Sequence, residues 1–160
     1  MVSREKIQRR TNMKYIGIDP GKSGGICCFE KDKVVALKCP DTFGKMHLAL
    51  KSIMGDTPAN KCYVFIEQVW AFPSDSSKTA FSFGTNYGAW QTACEVEELS
   101  ISLIRPRLWQ GFFNTPKSDK KTRKRWLKEL AQTMCDFRVT FNTSDAILIA
   151  KFCQEKDGVK

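Results

Sequence analysis

Apolar residues along this chain fall into short unbroken runs and into sets spaced three or four apart, and their order predicts the architecture. "KYIGID" (14–19) reads as a buried strand; "GGICCFEK" and "KVVALKC" follow it, separated by the polar "KDK", which predicts a hairpin continuing an antiparallel meander. "FGKMHLALKSIMGD" has apolar residues at helical spacing and stops at Gly55. "KCYVFIEQV" (61–69) is a strongly apolar strand and "AFPSDSS" a loop, after which 78–98 reads as a helix with Ala80, Phe83, Tyr87, Trp90 and Cys94 along one face. Gly84 and Gly88 inside that helix cost stability unless close packing requires them, against the sheet or against a second copy of the chain. "SISLIR" (100–105) is the next strand, "RPRLWQGFFNTPKSD" a loop, 120–135 a basic helix, and "TSDAILIAKFCQ" a helix with Asp145 in its first turn. The order βββ-α-β-α-β-α-α predicts an α/β fold, a mixed five-stranded sheet flanked by helices.

At 160 residues the chain has room for one domain with its own core, not for two. Residues 13–155 are expected to form that domain, with a basic N-terminal arm over 1–12 and a tail over 156–160. The arm lacks the apolar segment of a secretion signal, and no apolar run is long enough to span a membrane. These features predict a cytoplasmic protein, in a bacterium or a phage-infected cell, with an organelle or nucleus as the open alternatives.

Charge narrows the partner. A formal +9 and a pI near 9.3 favour an anionic partner, with nucleic acid first, because phosphates reward clustered Lys and Arg. The seven cysteines are odd in number and show no pair at zinc-site spacing; several lie among apolar neighbours, which predicts reduced core residues. The single histidine, His47, has no obvious partner and reads as structural, which disfavours a His base or a multi-His metal site.

"YIGIDPGKSGG" (15–25) invites two readings. A nucleotide phosphate loop needs four residues between its first glycine and the Gly-Lys pair, and a helix directly after the Lys-Ser. Here Gly17 and Gly21 are separated by three residues, one of them Pro20, and the chain continues as strand and hairpin. Spacing and context both reject a nucleotide cofactor.

The other reading is a strand that ends by presenting a carboxylate. Asp19 and Glu67 each finish an apolar run, where a charge is costly unless it reaches solvent, a partner or a metal. If the two strands are neighbours, both carboxylates emerge on one edge, and Asp145 can converge on them. Three acids around a cleft, without a His or Cys set, suit hard cations such as Mg²⁺, and two such ions suit phosphodiester hydrolysis.

"IGIDPG" followed by a hairpin, then "VFIEQVWAFPSDSSKTAFSFGTNYGAWQTA", "IRPRLW", a basic helix and "SDAILIA", in that order, resembles the RuvC-like Holliday junction resolvases. The likeness runs over about 14–152, nearly the whole chain. It implies an RNase H-like fold, a homodimer, two Mg²⁺ per active site with Mn²⁺ as a substitute, and paired symmetric nicks in a four-way DNA junction. On the resemblance, Asp19, Glu67 and Asp145 match three acids of the family's metal site. The fourth acid belongs three or four residues before the last, where this chain has Asn142 and Phe141; Asp136 is too far upstream to replace it. Asn142 stands as the candidate fourth ligand, and three readings of it remain: an engineered Asp-to-Asn inactivation, a natural three-acid site, or a junction-binding protein with weakened catalysis. A relative acting on other branched DNA or on RNA–DNA hybrids is a further alternative.

Seven basic residues crowd 117–128: Lys117, Lys120, Lys121, Arg123, Lys124, Arg125 and Lys128. They cannot all face one way on a helix, so some hold phosphates and the rest are solvated. The resemblance places the active-site lysine at Lys120, opposing charge on the reacting phosphate. Arg105 and Arg107 are further phosphate candidates. Trp70, just past Glu67, is placed by the resemblance against junction bases, with Phe72 as its alternate. Ser82 and Asn86 are expected to meet backbone phosphate and Phe83 to lie in the core, as are Trp90 and Trp126, with Trp109 anchoring a loop.

Overall fold

The computed structural model describes residues 13–157; the N-terminal arm expected over 1–12 and the end of the tail lie outside them. Five strands form one sheet: β1 (Lys14–Asp19), β2 (Gly25–Glu30), β3 (Lys33–Lys38), β4 (Cys62–Glu67) and β5 (Ile101–Ile104), in the order β3-β2-β1-β4-β5. β1, β2 and β3 are the antiparallel meander, while β4 joins β1 in parallel and β5 joins β4 in parallel. The mixed sheet expected from the run order is therefore present.

Helices cover both faces. One face carries α1 (Phe43–Met54) and α2 (Ser77–Val96), which pack Met46, Leu50, Trp90 and Cys94 against Ile16, Ile18, Val64 and Ile66. The opposite face carries α3 (Pro106–Phe112), α4 (Lys120–Gln132) and α5 (Ser144–Asp157), whose Trp109, Leu127, Ile147 and Phe152 meet Tyr15, Cys27, Phe29 and Ile104. Local signals set the helix ends. Thr42, Ser76 and Asp119 each accept from a backbone N–H of the first turn of the helix they precede, and Gly55 closes α1 at φ 53°.

α5 lies directly across β1. A methyl group on Gly17 would stand 2.2 Å from the Ala150 backbone nitrogen and 2.5 Å from the Ala146 carbonyl oxygen, so only glycine lets strand and helix backbones meet there. That contact sits two residues before Asp19 on β1 and begins at Ala146 on α5, the residue after Asp145.

Several expectations are corrected. Residues 106–112, read as loop, form a helix with Pro106 at its first position, where the missing N–H costs nothing. The basic helix ends at Gln132, three residues early. Phe83 is 38 % exposed: α2 buries only Trp90, Ala93 and Cys94, all in its second half. Gly84 and Gly88 face open space, which removes sheet packing as their reason. Trp90 is buried, as expected; Trp126, expected in the core, is half-buried against it; and all seven cysteines are free. His47 hydrogen-bonds to Glu97, joining α1 to α2. Among the described residues no helix is long and apolar enough to cross a membrane.

Candidate active site

Parallel pairing brings the first two acids together. Ile18 of β1 is registered with Ile66 of β4, so the next residues, Asp19 and Glu67, leave the sheet side by side. The Gly21–Gly24 turn then folds back over Asp19: Gly24 N donates to Gly21 O at 2.8 Å, and Gly21 N donates to Asp19 Oδ1 at 3.2 Å. A methyl group on Gly24 would fall 2.6 Å from the Asp19 carboxyl carbon, so the turn closes this tightly only with glycine. Asp145 arrives from the first turn of α5, with Ser144 Oγ at 3.3 Å from its Oδ1.

The three carboxylates line one cleft of about 500 Å³ with the Gly21–Gly24 turn, Val69, Lys78, Thr79, Ser82, Phe83, Lys124 and Phe141. Their charges oppose one another there. Burial, and then the charge of Asp19, push the Glu67 carboxyl up to about 8; burial and then Asp19 push Asp145 up to about 6. Burial also raises Asp19, against its hydrogen bond from Gly21 and the charge of Lys124. Lys124 pulls in the opposite direction on all three acids.

A divalent cation fits such a set. Three buried carboxyls, of which Asp19 raises the pKa of the other two, are relieved by a positive charge between them, and no His or Cys is among the lining residues. Among the described residues no three His, Cys, Asp or Glu side chains are drawn together closely enough to hold a metal ion by themselves. An open set still suits Mg²⁺, which keeps several waters and takes one or two carboxylates together with substrate phosphates.

The structure separates the predicted residues into three places. Asp19, Glu67, Asp145, Ser82 and Lys124 line the acid cleft. Trp70, Phe72, Arg105, Arg107 and Lys120 line an adjoining groove of about 790 Å³ that shares Glu67, Val69 and Phe83 with the cleft. Trp70 and Phe72 are 47 % and 63 % exposed, held on a turn in which Phe72 N donates to Asp75 Oδ2 at 2.8 Å. Asn86, Lys117, Lys121 and Arg123 line neither, although the charge of Arg123 still acts on Asp145.

Two placements differ from the expectations. Lys120, given the active-site role, lines the groove beside Glu67, while Lys124 lines the cleft with all three acids: one turn along α4 separates them, and a run of basic residues carries no mark of helical phase. Asn142 is half-buried and is not among the lining residues, whereas Phe141 is. Both belong to a turn, closed by Ser144 N donating to Thr140 O at 3.0 Å, in which neighbouring side chains diverge. Asn142→Asp is therefore expected to change the cleavage rate by less than about tenfold, the lower bound for losing a group that supports a metal ligand. Single-turnover cleavage in Mg²⁺ measures this, and a larger gain would put residue 142 in the ligand set.

Sequence reasoning missed the rim residues Lys22, Lys78 and Thr79, and it missed Trp109, whose Nε1 donates to Glu67 Oε2 at 2.6 Å. Proline after Arg105 was the available signal, since proline opens helices as readily as it breaks them.

The meander with two parallel strands added and helices on both faces is the fold of solved RuvC structures. A Thermus thermophilus RuvC solved with a Holliday junction substrate is 14% identical to this chain, covering 91% of it and 96% of its own length, with a TM-score of 0.59. A second Thermus thermophilus RuvC structure is 15% identical, covering 91% and 97%, also with a TM-score of 0.59. No protein-family model and no curated protein matches the sequence.

Proposed function

We propose that this chain is a structure-specific DNA endonuclease that resolves four-way junctions by paired symmetric nicks, with residues 13–155 as the nuclease domain. The observation that carries the reading is the cleft where Asp19, Glu67 and Asp145 meet Lys124, opening into a groove of aromatic and cationic side chains. The +9 charge suits a phosphate-rich partner, and the fold is shared with a RuvC solved on a Holliday junction.

Asp19, Glu67 and Asp145 are the residues that would hold Mg²⁺, or Mn²⁺ in its place. Bound there, the cation would neutralise phosphate charge and lower the pKa of water. Lys124 contributes a fixed positive charge against the reacting phosphodiester. Water adds in line at phosphorus, the P–O3′ bond breaks, and the products are a 5′-phosphate and a 3′-hydroxyl. Arg105, Arg107 and Lys120 hold flanking phosphates, and Trp70 and Phe72 offer ring faces to unpaired bases at the branch point. Trp70→Ala is expected to weaken junction binding by roughly 1–3 kcal/mol, the stacking contribution of one base, with little change in duplex binding; gel-shift titrations on both substrates check it.

Two symmetric nicks require two sites. The outward face of α2 is suited to pairing with a second copy: Phe81 is 78 % exposed, and Gly84 and Gly88, which follow on the same face, have nothing within 4 Å. A homodimer through this face would give the two glycines the close neighbour that their place in a helix calls for.

The deciding experiment offers a mobile four-way junction, an RNA–DNA hybrid and linear duplex to this chain in Mg²⁺. Paired nicks in the junction alone are expected. Cleavage of the hybrid instead would make it a different RNase H-like nuclease. A second reading, a junction-binding protein that does not cut, is favoured by Phe141 lying in the cleft where a fourth carboxylate could stand. Tight junction binding without nicks, persisting in both Asn142→Asp and Phe141→Asp, would establish it.

A further inference from the structure

Trp109 is fully buried, 0 % exposed, in the cluster that includes Ile104, Leu127 and Ile149. A carbon ring would fill that space equally well, so the indole nitrogen calls for a separate reason. An indole N–H can only donate, and once buried it needs an acceptor. Its acceptor is Glu67 Oε2 at 2.6 Å, short even for a bond to an ionised group.

The chain aims this contact from both ends. Gln68 N donates to Ile104 O at 2.7 Å, tying the exit of β4 to the end of β5. Pro106 starts α3 two residues after Ile104, and Trp109 follows three residues later on that helix. Glu67 thus has one carboxylate oxygen tied to the core, while Oε1 accepts no hydrogen bond among the described residues.

We infer that Trp109 is a positioning residue for the metal site: its buried N–H holds Glu67 Oε2 and leaves Oε1 as the oxygen offered to a divalent cation. The inference rests on the reading of Asp19, Glu67 and Asp145 as metal ligands. Carboxylate ligands are commonly fixed by an outer hydrogen-bond donor, and removing such a donor costs about 10–100-fold in metal affinity or activity.

The test compares the unaltered chain, Trp109→Phe and Glu67→Gln by Mn²⁺ binding followed through electron paramagnetic resonance, and by junction binding in EDTA. Trp109→Phe keeps an aromatic ring and loses the donor. It is expected to weaken Mn²⁺ binding by about 10–100-fold, to leave metal-free junction binding unchanged, and to raise the Mg²⁺ concentration for half-maximal cleavage with recovery at high Mg²⁺. Unchanged Mn²⁺ affinity in Trp109→Phe, with Glu67→Gln weakened, would overturn the positioning role and leave the metal site standing. Unchanged affinity in both would overturn the site and the inference with it. Because the smaller ring leaves space in the core, a second measurement needs no change at residue 109. The Trp109 indole ¹⁵N–¹H resonance should lie downfield in the unaltered chain, shift when Mg²⁺ is added, and lose that shift in Glu67→Gln. A resonance indifferent to both would overturn the inference.

Discussion

Asp19→Asn is expected to lower junction cleavage by at least about 10³-fold while junction binding in EDTA stays the same or tightens. Asp19 ends β1 beside Glu67 and acts on both other acids, so it is the electrostatic centre of the cleft. The amide keeps the shape and the hydrogen bond from Gly21 but brings no charge for a cation. Quantified nicking under single-turnover conditions reads the loss. Retention of more than about a tenth of the rate would remove Asp19 from the reaction.

The same substitution has a stability signature of opposite sign. Glu67 is raised from 4.5 to about 8 and Asp145 from 3.8 to about 6, so the folded metal-free protein holds protons that the unfolded chain has released. Stability from these groups is fully present below about pH 4, and it falls as pH rises through 6 and then 8. Metal-free Tm should therefore decline across that window, and Mg²⁺ should raise Tm more at pH 8 than at pH 5. Asp19→Asn removes the second-largest cause of both shifts, after burial, and should flatten the decline. A Tm that rises from pH 5 to 8 in EDTA would contradict this picture of the acids.

Lys124→Met is expected to cost about 10²–10³-fold in cleavage, the scale for removing one fixed charge that faces the reacting group. Lys120→Met should instead fall mainly on affinity, reducing the salt slope of junction binding by about one. The contrast rests on one helical turn: Lys124 lines the acid cleft and lowers the pKa of all three carboxyls, whereas Lys120 lies with Trp70, Arg105 and Arg107. Cleavage at saturating protein, set beside binding in EDTA, separates the two effects. The reverse result, with Lys120 controlling the chemical step, would bear out the assignment that the sequence resemblance implied.

What was legible in the sequence was what is local. An apolar run that ends in an acid says that the acid leaves the sheet at its edge, and Asp19 and Glu67 could be read that way from "IGID" and "FIE". Asp145 was legible as the acid in the first turn of an apolar helix. Helical phase was not legible in a segment as uniformly basic as 117–128, where any of several lysines fits the role. Phe83 fell on the apolar face of α2, but nothing local says which half of that face is buried. The direction of side chains in the 140–144 turn follows no period, so Asn142 and Phe141 could be told apart only in three dimensions. Trp109 was hidden by "RP", which marks loops and helix starts alike.

The bare contact at Gly17 gives the site a property that its side chains do not. β1 carries one acid and α5 another, and between them the two backbones touch with no side chain interposed. Nothing there can be trimmed or enlarged to tune the gap between Asp19 and Asp145. Whatever spacing the cleft has is a dimension of the main chain, machined once by the fold, so the jaws of this cleft have no adjusting screw.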